Sequence, residues 1–204
     1  MIQHFYQNIH GWASGITEIY KQMVDNAAPG QFYHFVEVGT WKGTSAAFMA
    51  VEIANSGKDI QFDCVDTFEG SPNEPSHLVD PSVINKTLYE EFIDNMKPVE
   101  GFYRPVKMTS IEAADCYDDQ TLDFVFIDAM HDYESVRSDI IAWFPKVKVG
   151  GIISGHDFNH EMDANGQDFG TGKAVRELLT GFVTPPWCWA FVKQPNSKLN
   201  LPQV

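Results

Sequence analysis

From residue 34 onward the chain alternates short, continuous apolar runs with longer segments in which apolar residues recur every three or four positions. The runs at 34–38, 60–66, 102–107, 122–128 and 149–155 have the length and the bounding turn residues of buried strands. The segments between them predict helices over 44–56, 83–96, 110–116, 133–144 and 172–180, with Ser45 and Ser110 as N-caps or first-turn residues. Strand and helix alternating in this way mark βαβ units and a mostly parallel sheet, an α/β fold. Ahead of it, Ile16, Ile19, Tyr20 and Met23 share one helical face before a break at 27–30, which predicts a helix covering the sheet or a ligand. Behind it, Trp187-Cys188-Trp189-Ala190-Phe191-Val192 reads as a last strand followed by a polar end. The stretch 70–81, with Pro72, Pro75 and Pro81, is expected to be a loop, and its place after the second strand makes it a candidate lid.

Composition narrows the class. With 204 residues, 44% of them apolar, one domain with a proper core is expected. A net charge of -14 argues against nucleic acid as the main partner, because phosphate binding needs a basic face. Cys64, Cys116 and Cys188 are odd in number and widely spaced, as free thiols in a reducing compartment are. The first residues lack the pattern of a secretion signal and no run of eighteen apolar residues occurs, so a cytoplasmic protein with no membrane partner is expected.

The candidate chemistry sits at the strand ends. In His34-Phe35-Val36-Glu37-Val38-Gly39-Thr40-Trp41-Lys42-Gly43-Thr44-Ser45 an apolar strand ends in an acid, turns through two glycines and opens a helix. Ligands of open α/β sheets bind beyond the carboxyl ends of the strands, so this turn is a nucleotide or nucleoside site. Charge selects between them: unit charges about 4 Å apart interact by roughly 4 kcal/mol at an effective dielectric near 20, so Glu37 disfavours a pyrophosphate and favours a cationic ligand. Asp66 lies 66 − 43 = 23 residues beyond Gly43, close to the roughly 20-residue offset at which an acid bonds the ribose hydroxyls. Its alternative is to cap a loop. Asp128 follows five largely apolar residues and needs a partner, whether a ligand or a backbone hydrogen bond. His131 is the group there that accepts a proton near neutral pH, unless it is a solvent-bonded histidine at a helix start. His156 and Asp157 after the fifth run form, with Asp128, a candidate three-ligand cation site whose mixed donors suit Mn²⁺, Fe²⁺ or Zn²⁺ better than Mg²⁺. His160, Glu161 and Asp163 read as a solvated loop that would extend such a site.

At these residues the chain resembles the class I S-adenosylmethionine-dependent methyltransferases, and within them the cephalosporin-hydroxylase-like, macrocin-type and catechol O-methyltransferases. The resemblance covers roughly residues 34–180. Glu37-Val38-Gly39-Thr40-Trp41-Lys42-Gly43-Thr44-Ser45 is similar to the first motif, Val65-Asp66-Thr67-Phe68-Glu69-Gly70-Ser71 to the ribose motif, and Met108-Thr109-Ser110-Ile111-Glu112-Ala113-Ala114 to the adenine segment. It implies a Rossmann-like, doubly wound, seven-stranded sheet in residues 34–204, with a helical extension in residues 1–33. It implies cofactor contacts from Glu37, Gly39, Thr40, Gly43, Thr44 and Ser45, from Asp66, Thr67 and Phe68, from Ser110, and from Asp128 and Ala129. Asp128, His156 and Asp157 would hold a divalent cation such as Mg²⁺ or Mn²⁺, and His131 falls where catechol O-methyltransferase carries its lysine base. His156 stands where metal-dependent relatives have an aspartate, which leaves open a metal-free enzyme with His131 or His156 as base.

The expected activity is methyl transfer to a hydroxyl of a small metabolite or sugar, with His131 as general base and Asp128 beside it. Three rivals remain at this point: a nicotinamide oxidoreductase, which lacks its Gly-x-Gly-x-x-Gly spacing here; a non-catalytic adenosine-ligand module; and a hydrolase or hydroxylase-type relative using the His/Asp cation site. Trp12, Trp187 and Trp189 are candidates for an acceptor pocket, and an edge strand or the first helix for a homodimer.

Overall fold

Six strands form one sheet. The computed structural model describes residues 1–72, 74–159 and 169–201. Strands β1 (Tyr33–Val38), β2 (Ile60–Asp66), β3 (Arg104–Lys107), β4 (Leu122–Ile127), β5 (Val147–Gly155) and β6 (Trp189–Val192) lie in the order β3-β2-β1-β4-β5-β6. The first five are parallel and β6 runs antiparallel to β5. The winding direction reverses between β1 and β4, so the carboxyl ends of these two strands open a crevice where connections leave to opposite sides.

The two-residue period of the strands sorts the core into two layers. Phe35, Phe62, Phe124 and Phe126 pack under α1 (Ile16–Asn26), α2 (Thr44–Ser56) and α5 (Leu88–Met96). Val36, Val38, Val65, Val125, Ile127 and Ile153 pack under α6 (Ser110–Asp115), α7 (Tyr133–Trp143) and α8 (Thr171–Leu178). Helix α1 turns Ile16, Ile19, Tyr20 and Val24 into the first layer, whereas Met23 is only partly covered. Truncating one of these phenylalanines to alanine costs about 3–5 kcal/mol, a large share of a domain's stability.

Several expected elements are corrected. Among the described residues the sheet has six strands, not seven. Where another would lie beside β6, the chain makes a single bridge, Val183 to Ala190, because Pro185 and Pro186 have no N–H to give a ladder. The expected loop at 70–81 contains the short helix α3 (Pro75–Leu78) and the start of α4 (Pro81–Ile84). Each proline opens its helix, where no N–H is required, and the preceding acid caps it: Glu74 accepts from Ser76 N and Asp80 from Ser82 N. The expected helix 83–96 is broken between α4 and α5, where Lys86 adopts φ +58°. Ser45 and Ser110 take the second of their two expected places, in first turns; Gly43 and Thr109 hold the N-cap positions, Thr109 in a reciprocal capping box with Glu112.

Two polar anchors fix the sheet edge and the segment after β2. The fully buried Asp63 carboxylate accepts from Arg104 at 2.8 and 2.6 Å and from the Tyr117 hydroxyl at 2.9 Å, and pairs with His34 Nε2 at 2.7 Å, which joins β1, β2, β3 and the end of α6. Lys42 Nζ lies 2.8 Å from Asp80 and 3.0 Å from Glu91, tying the turn after β1 to α4 and α5. No helix among the described residues is long and apolar enough to cross a membrane.

Candidate functional site

The turn that follows β1 is shaped by close backbone approach. Gly39 has φ +89°, and a Cβ there would lie 2.2 Å from the Asp128 carbonyl oxygen, so only glycine lets the β1 and β4 ends touch. Asp66 bridges the turns after β1 and β2: its Oδ2 accepts from Thr40 N and Trp41 N, both at 2.9 Å, and its Oδ1 from Phe68 N at 2.7 Å. Burial raises the Asp66 pKa in spite of those bonds. Asp66 therefore caps the loops and still borders the crevice, since three bonds leave carboxylate lone pairs unused. Trp41, Phe68 and Asp157 have φ of 50°, 55° and 58°. Each follows the end of a strand. Left-handed non-glycine residues cost about 1–3 kcal/mol apiece and gather at functional sites.

Two adjoining cavities open along this edge. The larger, about 550 Å³, runs between the ends of β1, β2 and β4 and is lined by Gly39, Asp66, Thr67, Ser110, Asp128 and Ala129 among others. The smaller, about 230 Å³, is walled by Trp12, Thr44, Ser45, His77, His131, His156, Asp157 and Phe169. They share Gly39, Trp41, His77, Asp128 and Ala129. Glu37 lines neither. It lies one layer below, fully buried, with Ser45 Oγ donating to it, and burial pushes its pKa up to about 8. The carboxylates lining the two cavities are instead Asp66, Glu69, Glu74, Asp128, Glu134, Asp139 and Asp157.

Two histidines and two aspartates converge in the smaller cavity. His131 Nε2 lies 3.2 Å from Asp157 Oδ2 and 3.7 Å from Asp128 Oδ1; His156 Nδ1 lies at the same two distances from the same two oxygens. His156 Nε2 donates to the Ser14 carbonyl at 3.0 Å, which turns Nδ1 toward the carboxylates. Burial opposes charge on both rings, but Asp128 and Asp157 outweigh it, raising the His131 pKa and holding His156 at about 9. His160, Glu161 and Asp163 lie outside the described residues.

The comparisons agree with this architecture. Residues 36–158, more than half of the chain, match the model of a family described as a methyltransferase domain. The chain belongs to this methyltransferase family. Its recognised group is the class I S-adenosylmethionine-dependent one, on a Rossmann-like fold. An uncharacterized protein, y4gI, of Sinorhizobium fredii (strain NBRC 101917 / NGR234) is 25% identical over 122 residues; the match spans 60% of this methyltransferase and 13% of that longer protein. Among solved structures, the O-methyltransferase NovP superposes with a TM-score of 0.61 at 20% identity, covering 88% of this chain and 80% of its own. MycE methyltransferase from the mycinamycin pathway, in complex with Mg, S-adenosylhomocysteine and mycinamycin VI, has a TM-score of 0.53 at 17% identity, over 92% of this chain and 51% of that one.

Within the methyltransferase, residues singled out from the sequence divide by location. Gly39, Thr40, Thr44, Ser45, Asp128, Ala129, His131, His156 and Asp157 meet at the smaller cavity, and Asp66, Thr67 and Ser110 at the larger. Gly43 and Phe68 line neither: Gly43 packs on Met96 and Phe92, and Phe68 is buried against Tyr89 and Phe92. Trp12 reaches the site, while Trp189 is buried in the core. Sequence reasoning missed His77, Glu74, Phe169 and Asp139. Asp139 carried a readable signal, being an acid on the apolar stripe Val136, Ile140, Trp143 of α7. Its Oδ1 accepts from Ser110 Oγ at 2.5 Å, Trp143 Nε1 donates to the same hydroxyl at 2.9 Å, and burial pushes Asp139 up to about 6. The other three depend on where the lid and the α8 approach fold over the strand ends.

Proposed function

We propose that this methyltransferase is an O-methyltransferase acting on a hydroxyl of a small molecule or sugar, with His131 as general base. The observation that carries the reading is the pair of adjoining cavities with the His131–Asp128–Asp157–His156 cluster on the smaller side of their junction. The larger cavity suits the nucleoside of S-adenosylmethionine: Gly39 lets the β1 and β4 ends close beneath it, Asp66 would meet the ribose, and Ser110, bonded to Asp139, lines the same cavity. When bound, this cofactor supplies a methyl on a sulfonium, whose C–S bond breaks as the acceptor's C–O bond forms, the electron pair returning to sulfur as S-adenosylhomocysteine.

The chain's own task is to align the acceptor and remove its proton. His131 takes that proton, and Asp128 and Asp157 orient the ring and stabilise the imidazolium. Phe169 stacks on its face, with centroids 4.9 Å apart. The donors also fit a divalent cation. Asp128 and Asp157 would hold it together with an imidazole: His131 groups with both carboxylates within reach of one ion, and His156 gives its other N–H to a backbone carbonyl as metal-ligating histidines do. Such a cation supplies Lewis acidity that lowers a hydroxyl's pKa. The segment 1–33 belongs to the site as a cover over the 34–204 cofactor domain: Gly11 and Trp12 wall the smaller cavity and Ser14 holds His156. Three free cysteines, two of them buried, support a cytoplasmic setting.

His131→Asn tests the assignment. Turnover should fall about 10²–10⁴-fold while the affinity for S-adenosylhomocysteine, measured by calorimetry, stays within about threefold. Undiminished turnover across pH 6–9 would remove His131 from the mechanism.

A further inference from the structure

Resting on the O-methyltransferase reading, the aromatic wall of the smaller cavity, without a lysine or arginine among the described residues, deepens it to a substrate class. We infer that the acceptor is an uncharged, phosphate-free compound that lays one ring against Trp12 and His77, so that methylation follows the group transfer that removes any nucleotide or thioester carrier.

The first observation is charge. Among the described residues neither cavity is lined by a lysine or an arginine. The segments 1–20, 74–85, 129–136 and 169–172 contain none in their sequence either, although they carry acids including Glu18, Glu74 and Asp132. Of the cations nearby, Lys42 is held by Asp80 and Glu91 and Arg137 by Glu177, while Lys107 lies over the Tyr89 ring at 5.3 Å and Lys173 over the Tyr133 ring at 4.1 Å. His131 and His156 are matched one for one by Asp128 and Asp157. A diphosphate or a coenzyme A tail needs cationic or N–H partners where it leaves the pocket, and here it would meet Glu74.

The second observation is the shape and chemistry of the wall. Trp12 is 54% exposed, and its ring lies 6.5 Å from His77 at a 48° tilt. His77 is also stacked on Trp41, centroids 3.7 Å apart and planes at 10°. His77 Nδ1 accepts from Ser71 N at 3.0 Å, so the neutral ring carries its proton on Nε2 as a donor. An indole face beside a neutral imidazole N–H matches the flat C–H face and hydroxyls of a sugar or a phenol.

The test uses the full chain saturated with S-adenosylhomocysteine. Cofactor binding is measured first, so that its absence would sink the methyltransferase reading rather than this one. Phenyl glucoside, phenyl rhamnoside and catechol are then titrated against UDP-glucose, TDP-rhamnose and coenzyme A, by tryptophan fluorescence and calorimetry at about 20 mM salt, where phosphate attraction is strongest. At least one neutral probe should saturate about tenfold or more tighter than every phosphorylated one, and Trp12→Ala should weaken it about tenfold. Trp12 is half exposed, so this variant keeps the fold, and unchanged cofactor affinity verifies it. Equal or tighter binding of a phosphorylated probe, no saturation by any neutral probe, or no effect of Trp12→Ala overturns the inference.

Discussion

Glu37→Gln should make the ligand-free protein more stable, and only above mildly acidic pH. The Glu37 carboxyl is fully buried, and the buried Tyr20 hydroxyl interacts with it. Burial raises its pKa from 4.5 to about 8, against the hydrogen bond from Ser45. A native-state pKa above the unfolded one means that the folded chain keeps a proton the unfolded chain has lost. The Glu37 contribution is therefore intact below pH 4.5 and declines as pH rises towards 8. At about 1.4 kcal/mol per pH unit the loss is about 3 kcal/mol at pH 7 and approaches about 5 kcal/mol at pH 8 and above. Glutamine keeps an acceptor for Ser45 and has no proton to lose. Urea unfolding at pH 5, 7 and 8.5 should give near-equal stabilities at the first pH and a growing advantage for the variant at the other two. An advantage of about 3 kcal/mol corresponds to a rise of about 6–12 °C in Tm for a chain of this size. If the two pH curves run parallel from 5 to 8.5, the carboxyl is not held protonated and the reasoning fails. Bound S-adenosylmethionine, by bringing positive charge above Ser45, should narrow the difference.

Asp63→Asn should cost about 3 kcal/mol at pH 7, because Arg104, His34 and Tyr117 lose a charged acceptor in a buried position. Burial works against ionisation of Asp63, but His34, Arg104 and Tyr117 prevail and hold its pKa below the ordinary value, so its contribution is present above pH 3.8 and lost as pH falls through the folded value. The variant's acid unfolding limb should accordingly be shallower by calorimetry or circular dichroism. Mn²⁺ should raise Tm and release protons as it displaces them from His156; Asp157→Asn should abolish both effects while leaving affinity for S-adenosylhomocysteine intact, and a metal-independent Tm in the native protein would argue for the metal-free base.

Local pattern was enough for the sheet and its tips. Hydrophobic period and glycine placement located β1, β2, β4 and β5 within two residues at either end, because buried parallel strands are set by runs of apolar residues that need no distant information. The same pattern put Gly39, Asp66, Asp128, His131, His156 and Asp157 on one edge, since parallel strands bring their carboxyl ends together. Tertiary structure decided what that edge holds. Glu37, one position short of the end of β1, points with Phe35 into the buried layer, so the crevice charge comes from other acids, Asp66, Asp128 and Asp157 among them. His77, Glu74 and Phe169 become cavity walls only because segments far apart in sequence fold over the strand ends, and the Ser14 carbonyl meets His156 across 142 residues. A chain shows the period of its own side chains, which fixes faces and tips. It does not show which loop lies above which tip, because that depends on long-range packing and on buried pairs such as Lys42 with Asp80.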